Sequence, residues 1–284
     1  MNRGTAGRGQ AMLVTLLAGL VAYDQAESGE QTVSASVAAT NRGAYEIVVT
    51  ASRVEKDIQS EPSTTYRLSS ESEVAHEANR TTPDILDGIP SVMVQKTAYG
   101  QGSPYLRGFT GFRTLCTIDG IRLNNSVFRD GPNQYWNTVD PLSIGNYELV
   151  MGPCSVLYGS DAVGGALNAI PAQPPEWSGQ PTYEPRLYYR GATAEGSTIG
   201  RAQIGASINE RIGLIAGYSL KDFGNLRGGR DVGVQEHTGY GEWDLDGMIR
   251  YQICDAASLT IGHQTVGQND AWRTHKTIYG TDWN

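Results

Sequence analysis

Several residue types are scarce in this sequence, and each scarcity removes a class of function. The 284 residues include only three cysteines and four histidines. Neither Cys116, Cys154 and Cys254 nor His76, His237, His263 and His275 show metal-ligand spacing. No Ser/His/Asp or Cys/His set falls on a recognisable scaffold, so the chain does not read as an enzyme, and no cofactor or metal is expected. Lys and Arg together number 22 against 30 acidic residues, for a net charge of -8. Without a basic block there is no footprint for a phosphate backbone, which argues against nucleic acid as a partner. No run reaches the roughly 18 apolar residues of a spanning helix, but a β-barrel needs no such run. An odd number of cysteines allows at most one internal bridge, Cys116 with Cys154, or else three packed thiols.

One absence is more pointed. The stretch VLYGSDAVGGALNAI, residues 156–170, nearly matches the spacing of a phosphate-cradling loop. That loop needs Lys and a hydroxyl after its last glycine, to meet the phosphates and Mg²⁺. Here Gly165 and Ala166 hold those positions, so the loop does not bind a nucleotide.

What is abundant is glycine, with 35 residues, and tyrosine, with 15. With short apolar runs, that composition favours β-structure with many turns. At the N-terminus, Arg3 and Arg8 precede the apolar run Ala11–Ala22, the pattern of a secretory signal over residues 1–26. Residues 27–45 are small and polar and read as a flexible leader. The leader ends in EIVVTASR, Glu46–Arg53, a β-prone run that could either add to another protein's sheet edge or form a first strand of the domain itself.

Residues 54–175 read as a compact α+β domain. TTPDILDGIPSV has Thr82 as N-cap, Pro83 at the first helical position and Gly88 as a stop, predicting a helix of under two turns that feeds the strand SVMVQ. Asp119-Gly120, between apolar runs, predicts a hairpin. Tyr147–Met151 reads as a strand that turns at Gly152-Pro153 into a short helical segment ending near Gly159. Beyond the Pro-rich stretch 171–181 the pattern changes to strict alternation. Thr198, Gly200, Ala202, Ile204, Ala206 and Ile208 share one face and Arg201, Gln203, Ser207 and Asn209 the other, with Ile199 as the exception. Similar runs at 212–220 and 243–253 give strands long enough to cross a bilayer at a tilt. Their connections alternate between short (around 209–211 and 255–257) and long (Lys221–Glu242), as in outer-membrane barrels.

Taken in order, EIVVTASR, TPDILDGIPSVMVQ, SPYLRGF, TLCTIDGIRLNN and ELVMGPCSVLYGSDAVGGALNAI resemble the motifs of the TonB-dependent outer-membrane receptors. The resemblance covers residues 46–170. It implies a TonB box at 46–53 with Glu46, Ile47, Val48, Val49, Thr50 and Ala51 contacting TonB, then an α+β plug at 54–175, then antiparallel strands of a transmembrane barrel from 176 to 284. Family members are 22-stranded, sit in the outer membrane and import scarce metal chelates such as ferric siderophores, haem or cobalamin. About five strands follow the plug here, so the expectation is an incomplete barrel and a fragment of a longer receptor. The resemblance makes the Gly-rich stretch structural plug. It makes Arg107 and Arg122 latch residues that pair with carboxylates of the plug or wall. It also points Lys96–Gln101 and Phe128–Asn137 outward, with Tyr99, Gln101, Arg129, Tyr135 and Trp136 as candidate ligand contacts. Met151 and Cys154 depart from the family pattern, which puts one plug–barrel charge contact in doubt. The competing reading is a secreted β-rich binding or adhesion module.

Overall fold

A computed structural model of the chain describes residues 12–14, 19–22, 47–48, 56–57, 63–70, 74, 79–123, 131–132, 134–255 and 257–272. Of the expected signal, Met12–Val14 and Gly19–Ala22 are short strands paired along Ala257–Asn269. Ile47–Val48 of the expected TonB box pairs with Lys56–Asp57. The leader 27–45, Glu46, Val49, Thr50, Ala51 and Arg129 lie outside the described residues.

The first domain contains strands β1 (Thr64–Ser69), β2 (Val92–Ala98), β3 (Gln101–Leu106), β4 (Thr114–Ile118), β5 (Ile121–Arg122), β6 (Ile144–Met151) and β7 (Gly165–Pro171). Five of them form a mixed sheet in the order β1-β6-β7-β4-β5, while β2 and β3 pair as a separate hairpin. Only β7 and β4 run parallel. The core gathers Ile85, Leu86, Leu106, Trp136, Tyr147, Leu149 and Leu167 against one face of this sheet.

Local chemistry accounts for the punctuation. Thr82–Leu86 forms a 3₁₀ turn rather than an α-helix, and its N-cap is Thr81, one residue earlier than expected. The Asp84 carboxylate accepts from the Thr81 N–H (3.2 Å) and hydroxyl (2.8 Å). The Thr82 hydroxyl instead donates to the Val139 carbonyl. Asp119 and Gly120 both adopt positive φ, 50° and 75°, the backbone of a two-residue hairpin turn, and Ile118 pairs with Ile121 across it. A four-residue helix, α1 (Ser155–Tyr158), stops at Gly159 with φ 89°. The Gly164-Gly165 pair solves a packing problem: a Cβ on Gly164 would lie 2.7 Å from the Leu106 carbonyl oxygen, and one on Gly165 would lie 2.4 Å from that of Val150. These glycines let β7 pass close to its neighbours, which is the structural role expected of the stretch.

Five long strands follow, β8 (Thr182–Ala192), β9 (Ser197–Asn209), β10 (Ile212–Phe223), β11 (Tyr240–Cys254) and β12 (Ala257–Asn269), each antiparallel to the next. One face exposes Tyr183, Leu187, Tyr189, Ile204, Leu220, Leu245 and Ile249, an apolar band with tyrosines suited to lipid. The other face buries Ile199, Arg201, Ser219, Lys221, Glu242 and Asp244 against the first domain. Ile199, the exception in the alternation, packs there with Tyr99, Phe223 and Tyr240. The long connection is 224–239, shorter than expected, because Lys221 and Glu242 sit inside strands facing the first domain. Among the described residues no helix is long and apolar enough to cross a membrane.

Candidate functional site

The seam between the first domain and the inner face of the five strands carries the most concentrated chemistry in the chain. Register builds it. Arg201 on β9 faces Ser219 on β10, which faces Asp244 on β11. Likewise Lys221 faces Glu242, and Gly217 faces Asp246. With a period of two, all these side chains point to the same face. Gly217 leaves the space through which the Arg201 guanidinium crosses, since a Cβ there would meet it at 2.0 Å. Arg201 then grips Asp246 with two bonds of 2.7 and 3.0 Å.

Into this wall the first domain inserts a single carboxylate, Asp140. It follows the 3₁₀ turn Gln134–Thr138 and precedes Pro141, and its Oδ1 accepts from the Leu142 N–H at 3.0 Å, closing the next turn, Asp140–Leu142. Its carboxylate lies 2.9 Å from Lys221 Nζ and 3.3 Å from Arg201 Nη1, and the Ser219 hydroxyl donates to it at 2.6 Å. Lys221 also reaches Glu242 at 2.6 Å and Asp244 at 2.9 Å. Burial opposes charge on Asp140, but Lys221 and Arg201, helped by the Ser219 hydroxyl, hold its carboxyl below the usual range. A charge pair this well buried seals the seam, because separating it strands ions away from water.

A second contact sits at the β8–β9 turn. The Tyr99 hydroxyl donates to Glu195 Oε2 at 2.8 Å, and Arg80 joins both groups. The Tyr99 ring stands edge-on to Phe223 (5.5 Å) and Tyr240 (5.9 Å), which stack on each other at 4.6 Å. Burial, more than any other influence, raises the Tyr99 phenol pKa.

Comparison with known proteins agrees with this geometry. Residues 57–166 match the family model TonB-dependent Receptor Plug Domain. The vitamin B12 transporter BtuB of Photobacterium profundum is 30% identical over 168 residues, covering 59% of this chain and 25% of that protein. The iron-regulated outer membrane virulence protein of Vibrio cholerae (classical strain O395) is 34% identical over 139 residues, covering 47% of this chain and 21% of the relative. Along residues 57–166 the chain is similar to the plug domain of the TonB-dependent receptors. The pyoverdine outer membrane receptor FpvA of Pseudomonas aeruginosa PAO1 shares its fold, with a TM-score of 0.64 at 15% identity over 78% of this chain and 30% of that one. The chain thus spans between 20% and 34% of the length of the curated relatives it matches. Its place is the outer membrane, with the α+β domain as plug and the five strands as barrel wall.

The receptor's seam was not foreseen residue by residue. Asp140 went unremarked, Lys221 and Glu242 were read only as the bounds of a long connection, and Arg201, Asp244 and Asp246 were noted only as members of polar faces. Two signals were available: the Asp140-Pro141 turn dipeptide, and the parity of Lys221, which puts it opposite Leu220. Of the expected latch residues, Arg122 pairs within the plug, to Asp161 at 3.0 Å and to the Tyr158 carbonyl at 2.7 Å. Arg107 adopts φ 51° and lies exposed with its guanidinium over Gly152, without a carboxylate partner among the described residues.

The outward placement of the candidate ligand contacts needs correction. Trp136 is fully buried in the plug core, edge-on to Tyr147 at 6.4 Å, because the 3₁₀ turn rolls its indole inward. Tyr135 is half-buried and packs on the same core. Tyr99 is buried in the seam, and Gln101 is half-buried beside it. Cys116 is buried, Cys154 half-buried and Cys254 exposed, and none of the three is in a disulfide among the described residues.

Proposed function

We propose that this receptor imports a scarce metal chelate, a cobalamin, a ferric siderophore or haem, with TonB supplying work through Glu46–Ala51. The observation that carries the reading is the buried Asp140–Lys221–Arg201 seam. A plug held this way blocks the wall's inner face, so passage of a ligand requires work on the plug. An adhesion module has no use for such a seal, since a plug adds nothing to an external contact.

On this reading, Arg122 braces the plug internally. Arg107, exposed as are Phe109 and Val163, is assigned to a carboxylate of the barrel wall. Ligand contact is assigned to Gln101, Arg129 and Tyr135, with Tyr99 and Trp136 supporting them from beneath.

The test uses Val48→Pro, which removes a main-chain donor and fixes φ in a segment expected to dock by strand addition. Cells carrying the receptor should bind cyanocobalamin, haemin or a ferric catecholate at the surface as before, but no longer accumulate it. Equal loss of binding and uptake would place Glu46–Ala51 in the plug fold. Binding of none of the three probes by the unsubstituted receptor would sink the metal-chelate assignment.

A further inference from the structure

The seam holds more negative charge than its cations balance. Among the described residues, the four carboxylates Asp140, Glu242, Asp244 and Asp246 are paired with two cations, Lys221 and Arg201. All but Asp246 are almost wholly shielded from water, and Asp246 has a side-chain exposure of only 17%. A buried ionised carboxylate without compensation is costly enough that such groups take up a proton instead.

The contacts single out which one. Asp246 receives two bonds from Arg201. Asp140 lies between Lys221 and Arg201 and accepts from Ser219. Glu242 accepts from Lys221 at 2.6 Å through one oxygen and from Gln268 at 2.6 Å through the other. Asp244 has only Lys221 Nζ, at 2.9 Å from Oδ2 and shared with Asp140 and Glu242, and among the described residues no other donor reaches either of its oxygens. The charged and titratable groups around it are Glu242 and Asp246 on its own strand, Lys221 on β10, Arg201 on β9, and Asp140 from the plug with the Tyr147 phenol behind it. Tyr240 lies further along β11, and Val266 on β12 brings no charge.

We propose that the plug–wall seam is a proton-binding site, with the proton carried by Asp244. Closing the seam then takes up one proton and opening it releases that proton to water, where an ordinary carboxyl ionises near pH 4. The sign follows from linkage. Above about pH 4 the closed state holds one proton more than the open state, so each pH unit eases opening about tenfold, until the closed state itself loses the proton. Below that pH the effect ends, and protonation of Asp140 loosens the seam from the acid side.

The proposal rests on the seam being a latch, a reading that Asp140→Asn tests separately. Hydrogen exchange of the plug segment 140–151 is measured on the receptor in outer-membrane vesicles, from about pH 5 to pH 8, against an unstructured peptide of the same sequence. The opening constant of the unsubstituted receptor should rise up to about tenfold per pH unit, and Asp244→Asn should flatten that slope. A flat profile in the unsubstituted receptor, or an unchanged slope in Asp244→Asn, overturns the proton site even if Asp140→Asn loosens the plug. Should Asp244→Asn fail to assemble, infrared spectroscopy of the unsubstituted receptor at pH 7 still decides. The C=O stretch of a neutral carboxylic acid must be present, and its absence refutes the proposal.

Discussion

Replacing Asp140 with Asn removes the plug carboxylate that enters the Lys221–Arg201 seam while keeping its shape. Breaking a buried ion pair costs about 3–5 kcal/mol when it strands the remaining charge. Here neither cation is stranded, because Lys221 keeps Glu242 and Asp244, and Arg201 keeps Asp246. What is lost is charge-assisted bonding from Lys221, Arg201 and Ser219 to one carboxylate, with bonds to charged groups worth about 1.5–3 kcal/mol each. These bonds share partners and do not add, and the seam sheds one excess negative charge, so the net weakening should be about 2–3 kcal/mol. At about 1.4 kcal/mol per decade, opening of the plug becomes roughly 30- to 150-fold easier. Lys221→Met should cost more, about 3–5 kcal/mol or above, since it leaves four carboxyl groups facing one guanidinium. Hydrogen exchange of the plug, with barrel assembly checked in parallel, measures both. The acid side offers an internal control. Asp140 has a lowered carboxyl pKa, so its contribution is present above the ordinary carboxylate range and is lost as pH falls through the lowered value. Asp140→Asn should therefore lose that acid-induced loosening. If Asp140→Asn stays within about 0.5 kcal/mol of the unsubstituted receptor, or if Lys221→Met proves milder, the seam is not a latch.

Trp136→Ala should lower plug stability by about 3–5 kcal/mol, the usual cost of emptying a large core site, with thermal unfolding and receptor abundance as readouts; a loss of ligand affinity at normal stability would return Trp136 to the ligand face. Burial pushes the Cys116 thiol up to about 12, so N-ethylmaleimide at pH 8 should label exposed Cys254 and spare Cys116 until the plug is unfolded. Equal labelling of the two in the native receptor would show that the plug core opens readily.

The hairpin at Asp119-Gly120 was legible because only a few residue types accept positive φ at both turn positions. The wall strands were legible because a sheet with one face to lipid and one to the plug must alternate. The 3₁₀ turn of Thr82–Leu86 was legible as a short helical piece, but its cap was misplaced by one residue. Thr81 and Thr82 are equivalent as sequence, and only the Thr82 hydroxyl's bond to Val139 separates them. The side of Trp136 was not readable either. A loop tip and a turn rolled onto a core have the same composition, and Tyr147, the partner that fixes the indole, lies eleven positions later on another strand.

The sequence by itself determined the order of parts: an α+β plug punctuated by turn glycines, then strands of two-residue period. Each of these is a local property, set by backbone preference and by which face a side chain takes. The tertiary structure alone decided that Asp140 meets Lys221 and Arg201, residues 81 and 61 positions distant. That meeting depends on strand register, on the gap left by Gly217, and on how the plug sits against the wall. A one-residue slip would turn every one of these wall charges toward lipid. Local sequence shows which residues are charged, and packing selects the few that are buried together.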